Sequence, residues 1–136
     1  MTAKYAWVAE LSSKAWCILC YNYFMRIIES KIDKAELLKS EIVFDGPMIK
    51  AVVDIAKGVV AVDAGLHADL ERFLLEQGSE QDNLWGINLY PEDTPDDFVE
   101  FDSMINVRPR QNNRSRYVED AETRAKILEV VYKWLN

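Results

Sequence analysis

Charged side chains of opposite sign occupy neighbouring stretches of the segment Leu84–Arg116. Six carboxylates and no basic residue lie between Pro91 and Asp102, whereas four arginines and no acidic residue lie between Met104 and Tyr117. The arginine guanidinium presents a planar fork of N–H donors that matches a carboxylate or a phosphate. This pattern predicts an anion-binding surface. The alternative is that the arginines only neutralise the carboxylates next to them.

Strand alternation predicts which of these side chains share a face. In a strand, residues i and i+2 point to the same side, so an extended Phe98–Val107 would turn its odd-numbered side chains inward. Asn106 and Arg108 would then lie on an exposed polar face, together with Lys50, Asp54, Asn88 and Tyr90. Amide groups and a guanidinium on one face could hold an anion. The alternative is a solvated face whose polar residues pair across strands. The predicted ligand-binding residues are Trp85, Asn88, Asn106, Arg108, Asn113 and Arg114.

His67 and Asp69 are the candidate catalytic residues. An imidazole with a carboxylate nearby could transfer a proton, and Arg108 with Arg114 could stabilise a phosphoryl transition state. That combination predicts a phosphoester hydrolase, provided that His67 and Arg108 face one cleft. Residues two positions apart on a helix point apart, however. The alternative is a structural histidine on the flank of a buried stripe.

Metal and cofactor motifs are sparse. Cys17 and Cys20 have the spacing of a thioredoxin-type redox site, but no core strand precedes them, and small buried hydrophobes are the alternative. With His67 they give three soft ligands, one fewer than a closed structural zinc site needs. We find neither a glycine-rich phosphate loop nor a paired-histidine motif. The sequence therefore predicts no metal and no cofactor.

The length, net charge and apolar runs of the chain limit the classes of partner that it can be expected to bind. The chain has 136 residues, which suits one domain, and its net charge of −7 disfavours nucleic acid and anionic membranes. The longest apolar run, Ala15–Met25, is too short to span a bilayer. We therefore expect a cytoplasmic protein whose partner is an anionic small molecule or an acidic protein segment. The oligomeric state is not predicted.

The elements that must position these residues indicate an α+β domain. We predict an antiparallel sheet of two hairpins plus a short N-terminal strand, with helices packed on one face. The first hairpin is Met48–Ile55 with Val59–Asp63, and the second is Leu84–Tyr90 with Phe98–Val107. The helices are predicted near Asp33–Ser40, from Leu66 to Gly78, and after Asp120. Residues 1–24 are interpreted as an appendage or a mis-assigned start, with the domain spanning 25–136 and Met25 as the alternative first residue.

Four blocks of the sequence, taken in order, resemble those of a known protein family. VVDIAKG, LHAD, LWGINLYP and INVRPRQNNRS occur in that order, and they resemble a family of small uncharacterised prokaryotic proteins known only as a domain of unknown function. The resemblance covers roughly Met25–Leu135. The chain departs from it at Val62–Gly65, and at Asn112, where a glycine is common. The resemblance implies no activity, but its blocks include His67, Asp69, Trp85, Asn88, Asn106, Arg108, Asn113 and Arg114.

Three functions stay open from the sequence. Binding of an anionic ligand or acidic partner is favoured, because donors and positive charge are present without an evident nucleophile. The phosphoester hydrolase is the second hypothesis. The third is a structural subunit of a complex that makes its contact through the acidic segment Glu92–Asp102.

Overall fold

The structure, a computed structural model, describes residues 25–38 and 48–135. In these ranges five strands form one sheet, in the spatial order Arg26–Ile28, Val59–Val62, Ile49–Asp54, Leu84–Leu89 and Val99–Glu100, and all neighbours in it are antiparallel. The predicted α+β class and antiparallel sheet are confirmed. The appendage 1–24, with its cysteine pair, lies outside the described residues, and the alternative start at Met25 stays a prediction. The elements are β1 (Arg26–Ile28), α1 (Lys34–Leu38), β2 (Ile49–Asp54), β3 (Val59–Val62), α2 (His67–Glu76), β4 (Leu84–Leu89), β5 (Val99–Glu100) and α3 (Ala121–Trp134).

Two residues stabilise the turn of the first hairpin, one through its backbone conformation and one through its side-chain hydrogen bonds. Gly58 takes φ +68°, a left-handed conformation that costs glycine little. The side chain of Asp54 accepts hydrogen bonds from the backbone N–H groups of Ala56 and Lys57, each at 2.9 Å. The hairpin is therefore as predicted, but Asp54 is buried, at 1% exposed, and does not lie on an open polar face.

Helices cover both faces of the sheet. Val53 of β2 belongs to an apolar cluster with Ile127 of α3, whereas its neighbour Val52 packs with Leu70 and Leu74 of α2. Consecutive strand residues point to opposite faces, so α2 and α3 lie on opposite sides. The expectation of helices on one face is wrong, because β2 is apolar at successive positions and therefore has two faces to bury.

The helix ends follow local capping chemistry. Asp33 accepts from the backbone N–H of Glu36 at 2.7 Å, and Asp120 accepts from that of Thr123 at 2.8 Å, so each side chain satisfies an otherwise free donor. Helix α2 has no such cap, since the residue before it is Leu66, whose side chain cannot accept a hydrogen bond and is 55% exposed. Within the described ranges, no helix is long and apolar enough to cross a membrane.

The second hairpin is shorter than predicted. Strand β5 covers only Val99–Glu100, and Met104–Asn106 form a 3₁₀ turn. The extended strand over Phe98–Val107 is therefore wrong, and Val107, expected inside, is 38% exposed. The Ser103 hydroxyl contributes to this turn, because it accepts a hydrogen bond from the backbone N–H of Ile105 at 3.3 Å.

Candidate functional site

A cavity of about 470 Å³ lies on the sheet face that carries α2. Its floor is formed by side chains of β2, β4 and β5, and its walls by Leu66–Ala68 at the start of α2 and by Asp102–Ile105 in the turn after β5. Sites for small molecules commonly enclose roughly 300–1,000 Å³. The cavity is therefore large enough for a metabolite.

Three polar residues cross the floor in one row. The strand register places Lys50 of β2 opposite Asn88 of β4, and Asn88 opposite Glu100 of β5. A cation, an amide and a carboxylate thus stand side by side on one face. Because neighbouring strands are about 4.8 Å apart, the backbones at Lys50 and Glu100 are separated by on the order of 10 Å. The floor has one positive end and one negative end.

The negative end of the row is organised by Glu100. Its Oε1 accepts from Nδ2 of Asn88 at 2.8 Å and from the hydroxyl of Tyr90 at 3.3 Å. Burial and the Glu100 carboxylate both raise the pKa of Tyr90, so the hydroxyl keeps its proton and donates. Nδ2 of Asn88 also donates to the carbonyl of Asp102 at 3.3 Å. These bonds fix the orientation of the Asn88 amide.

The side-chain oxygen of Asn88 is a buried acceptor without a donor among the described residues. The residue is 5% exposed, and none of the described residues donates to its buried Oδ1. Buried polar atoms in folded proteins nearly always have a hydrogen-bond partner, from the protein, a water or a ligand. Oδ1 has almost no accessible surface, however, so it is enclosed by the protein and is not open to a ligand in the cavity.

His67 stands beside the row, at the first position of α2. Its Nε2 is 2.8 Å from the carbonyl oxygen of Ile87, and since a carbonyl only accepts, Nε2 carries the proton. The pKa of His67 is lowered, chiefly by burial and further by Lys50 and Arg116, while the Ile87 carbonyl and Asp102 oppose the shift. The imidazole is thus neutral near pH 7, and Nδ1 keeps a lone pair.

The opening of the cavity combines an ion pair with apolar side chains. Arg116 bonds the carboxylate of Asp102 through two N–H groups, at 2.6 and 3.2 Å. Leu66 and Met104, both of which line the cavity, are 55% and 66% exposed. Large apolar side chains in such exposed positions commonly mark a binding surface when they are grouped. The rim is therefore suited to an apolar group.

Asn106 and Asn113 lie outside this cavity and are saturated by the backbone. Asn106 is 0% exposed and exchanges two hydrogen bonds with Gly86, at 2.8 and 2.9 Å. Nδ2 of Asn113 donates to three backbone carbonyls, and its Oδ1 accepts from the N–H of Glu119 at 2.8 Å. The exposed polar face predicted for Asn106 is wrong, because the side chain fills a gap in the sheet edge.

Arg108 is buried as well, at 5% exposed, so its predicted place on an exposed face is also wrong. Its guanidinium donates to the carbonyls of Gln81 and Leu84, lies 3.3 Å from the carboxylate of Glu71, and stacks 4.8 Å from the ring centre of Trp85. A guanidinium has five donors. Arg108 uses them to tie α2, the start of β4 and the following turn together.

The remaining predicted residues are dispersed. Asp69 is 3.7 Å from Arg72 on the next turn of α2, and Arg114 is exposed, with its backbone N–H bonded to the carboxylate of Glu119. The structure thus brings His67 and Asn88 to one cavity, without Asp69, Trp85, Asn106, Arg108, Asn113 or Arg114.

Sequence reasoning missed part of the lining. Lys50 and Tyr90 were assigned to the correct face but not to the site, and Glu100, Asp102 and Arg116 were treated only as parts of charged stretches. Glu100 could have been assigned to the site from the sequence, since it lies on the predicted polar face of its strand. For Arg116 no local signal exists, because the chain must first turn back from Asn106.

One comparison identifies the family. The family described as "protein of unknown function (DUF5674)" matches residues 26–134. The chain belongs to this family. The predicted resemblance to a domain of unknown function is therefore confirmed, and membership brings no activity with it. Comparisons with curated proteins and with solved structures gave no match. Asn112, where a family glycine was expected, takes φ +58°, a conformation that asparagine tolerates better than most residues.

Proposed function

We propose that the protein binds a small anionic molecule in the cavity beside His67. The observation that supports this most is the position of Lys50, which lies on the floor of a 470 Å³ cavity whose wall is the uncapped start of α2. The ligand's carboxylate or phosphate group would face Lys50, and the rest of the molecule would occupy the cavity.

The start of α2 favours negative charge. The first N–H groups of a helix have no partner within the helix, and the aligned peptide dipoles add about half a positive charge there. Leu66 has no side chain that could satisfy one of these donors. The lining of the cavity thus combines these N–H donors with the ammonium group of Lys50. A neutral His67 neither repels the anion nor adds a charge to it.

The two carboxylates of the cavity do not oppose such a ligand at that end. Asp102 is paired with Arg116, and Glu100 lies on β5, at the far end of the row from Lys50. Charge is therefore segregated along the floor, with the cation on β2 and the carboxylate on β5.

Binding is tested by titrating small carboxylates and phosphorylated metabolites while recording amide chemical shifts. A hydrogen bond to a charged group is worth about 1.5–3 kcal/mol, so Lys50→Met should weaken each binding compound at least tenfold. Lys126→Met is the matched control, because that lysine pairs with Glu122 on the exposed side of α3. Absence of binding, or equal affinities in Lys50→Met and the native protein, would overturn the proposal.

A phosphoester hydrolase is the second candidate function, favoured by one observation. The Ile87 carbonyl fixes the tautomer of His67 and leaves Nδ1 with the lone pair that a general base needs. The condition that His67 and Arg108 face one cleft is not met, and the arginine that lines the cavity with His67 is Arg116, not Arg108 or Arg114. Hydrolysis of p-nitrophenyl phosphate and of bis-p-nitrophenyl phosphate should then be lost in His67→Gln, whose amide can still donate to Ile87. No turnover, or turnover unchanged by the variant, would contradict catalysis.

A further inference from the structure

We infer that His67 is a phosphorylation site, at which Nδ1 accepts a phosphoryl group from a small phosphodonor such as an acyl phosphate or a phosphoramidate. The inference goes beyond reversible binding, because a covalent bond forms at the histidine. It rests on the proposed function only in that the phosphodonor is an anion that enters the same cavity. Three features support it: the unpaired nitrogen of the imidazole, the N–H groups at the start of α2, and the arginine that lines the cavity.

The imidazole of His67 has one nitrogen bonded and the other unpaired. Nε2 donates to the carbonyl oxygen of Ile87 at 2.8 Å, and no described residue bonds Nδ1. The side chain is 9% exposed and lines the cavity. In contrast to Oδ1 of Asn88, Nδ1 is not one of the enclosed atoms that lack a partner. Because burial lowers the pKa of His67, Nδ1 keeps its lone pair near pH 7 and can act as a nucleophile.

The transfer of the phosphoryl group needs no further reactant. The lone pair of Nδ1 forms the bond to phosphorus while the bond from phosphorus to the leaving atom of the donor breaks, and the electron pair of that bond departs with the leaving group. With phosphoramidate, whose nitrogen is already protonated, the leaving group is ammonia. Nε2 keeps its proton, so the ring becomes an imidazolium whose positive charge offsets one of the two negative charges of the phosphoryl group. The hydrogen bond to the Ile87 carbonyl then becomes charge-assisted and is strengthened.

The start of α2 supplies donors for the phosphoryl oxygens. The N–H groups of Asp69 and Leu70 bond the carbonyl of Leu66, at 3.2 and 3.4 Å. The two N–H groups before them, of His67 and Ala68, have no acceptor among the described residues. Since Nδ1 is attached to Cγ, a phosphoryl group on it stays closer to this backbone than one on Nε2 would. Negative charge is stabilised there by the N–H groups and by the helix dipole.

The charged groups around the imidazole are compatible with a phosphoryl group. Lys50, Asp102 and Arg116 are close enough to shift the pKa of His67. Asp102 is paired with Arg116 at 2.6 Å, and Glu100 accepts from two side-chain donors, so neither carboxylate faces the imidazole without a partner. Arg116 uses two of its five N–H groups on Asp102, and the others have no acceptor among the described residues. They can bond the phosphoryl oxygens during the transfer.

Incubation of the protein with phosphoramidate, followed by intact-mass measurement and phosphorus NMR, tests the inference. His67 is the one histidine in the chain, so one acid-labile, alkali-stable phosphoryl group per chain is expected. It should be the Nδ1 isomer, and it should form at least about tenfold faster in the folded chain than in the urea-unfolded chain, which lacks the donors of the cavity. No phosphohistidine in the folded chain, the Nε2 isomer, or equal rates in the two states would overturn the inference.

A titration with inorganic phosphate, followed by amide chemical shifts, separates this inference from the proposed function. Phosphate binding without phosphohistidine would overturn the inference and leave anion binding intact. Absence of both would overturn both.

Three variants locate the reaction. His67→Gln should lose the phosphoryl group, and a mass increase retained in this variant would place the group on another residue and contradict the assignment. Arg116→Gln should react at least about tenfold more slowly than the native protein. Arg110→Gln is its matched control, because both arginines are more than half exposed and pair with one carboxylate at the surface. Equal rates in the two arginine variants would contradict the contribution of Arg116.

Discussion

The side-chain amide of Asn106 pairs with the backbone of Gly86 as a residue of a neighbouring strand would. Oδ1 accepts from the N–H of Gly86 at 2.8 Å, and Nδ2 donates to its carbonyl at 2.9 Å. Strand β5 has ended by this point, so the amide satisfies the edge of β4 in its place. The pairing holds the turn Met104–Asn106 against the sheet, and this turn forms one wall of the cavity.

Replacing the donor of that pair should destabilise the fold. Asn106→Asp keeps the shape but directs a carboxylate at the carbonyls of Gly86 and Arg116, which would lose the N–H groups that now reach them at 2.9 and 3.0 Å. Each buried group left without its partner costs about 1–3 kcal/mol, so we expect a loss of about 2–5 kcal/mol in the free energy of unfolding. Urea denaturation measures it. Asn112→Asp, at an exposed position six residues on, should change it little; equal losses in the two variants would contradict the role of Asn106.

The close approach at Gly86 predicts a second destabilising change. A Cβ at this position would stand 2.6 Å from Cβ and Oγ of Ser103 and 3.0 Å from Cγ1 of Ile105. In Gly86→Ala the turn must therefore move away from β4, at a cost of about 1–3 kcal/mol, as is usual for overpacking. Urea denaturation should show that loss, and amide shifts should move most at Ser103–Asn106. A variant as stable as the native protein, with unshifted turn amides, would show that the turn is not packed as described.

The contact between Asn106 and Gly86 also shows which parts of the fold the sequence could predict and which it could not. The strand at Arg26–Ile28, the first hairpin, α2 and the cap at Asp120 follow from local periodicity and capping, and all are confirmed. The end of β5 has two causes that lie outside the segment itself. Gly86, some fourteen residues upstream, leaves room for Ser103, and the side chain of Asn106 takes the place of a strand beside β4. The alternation of apolar and polar residues along a strand cannot predict that a side chain will pair with the sheet edge in place of a strand.

The same limit applies to the site. Parity placed Lys50 and Asn88 on one face correctly, because both belong to continuous strands. It failed for Arg108, since the prediction extended the alternation past the point where the strand ends. An arginine within a polar, arginine-rich stretch gives no local sign that it is buried against Trp85. The cationic stretch was therefore assigned to a ligand, whereas Arg108 within it holds the fold together.

Arg108 should accordingly act on stability, not on ligand affinity. Arg108→Lys keeps the charge but loses the planar fork, and an ammonium cannot reach the carbonyls of Gln81, Leu84 and Ile105 together. We expect a loss of about 2–4 kcal/mol in urea denaturation, corresponding to carbonyls left unpaired. Arg110→Lys, whose side chain is 59% exposed and pairs with Asp82 at the surface, is the matched control and should be nearly silent. An equally silent Arg108→Lys would contradict the network.

The stability of the fold should also fall as the solution is acidified below the ordinary pKa of His67. Burial lowers the pKa of this residue from its usual 6.5, so the unfolded chain binds a proton at a pH where the folded chain does not. Stability then rises with pH across that interval, because the unfolded state holds more protons. The contribution is fully present above pH 6.5 and is lost as the pH falls toward the folded pKa.

The single histidine makes this dependence assignable. His67 is the one histidine in the chain, and carboxylates in unfolded chains titrate near pH 4, so between pH 7 and pH 5 the decline should come from this residue. In His67→Gln the amide can still donate to the carbonyl of Ile87, but nothing there takes up a proton. Urea denaturation at pH 7, 6 and 5 should therefore show a decline in the native protein that is absent from the variant. Parallel curves for the two proteins would mean that His67 is not buried in its neutral form, and the same result would remove the lone pair on Nδ1 from the description of the cavity.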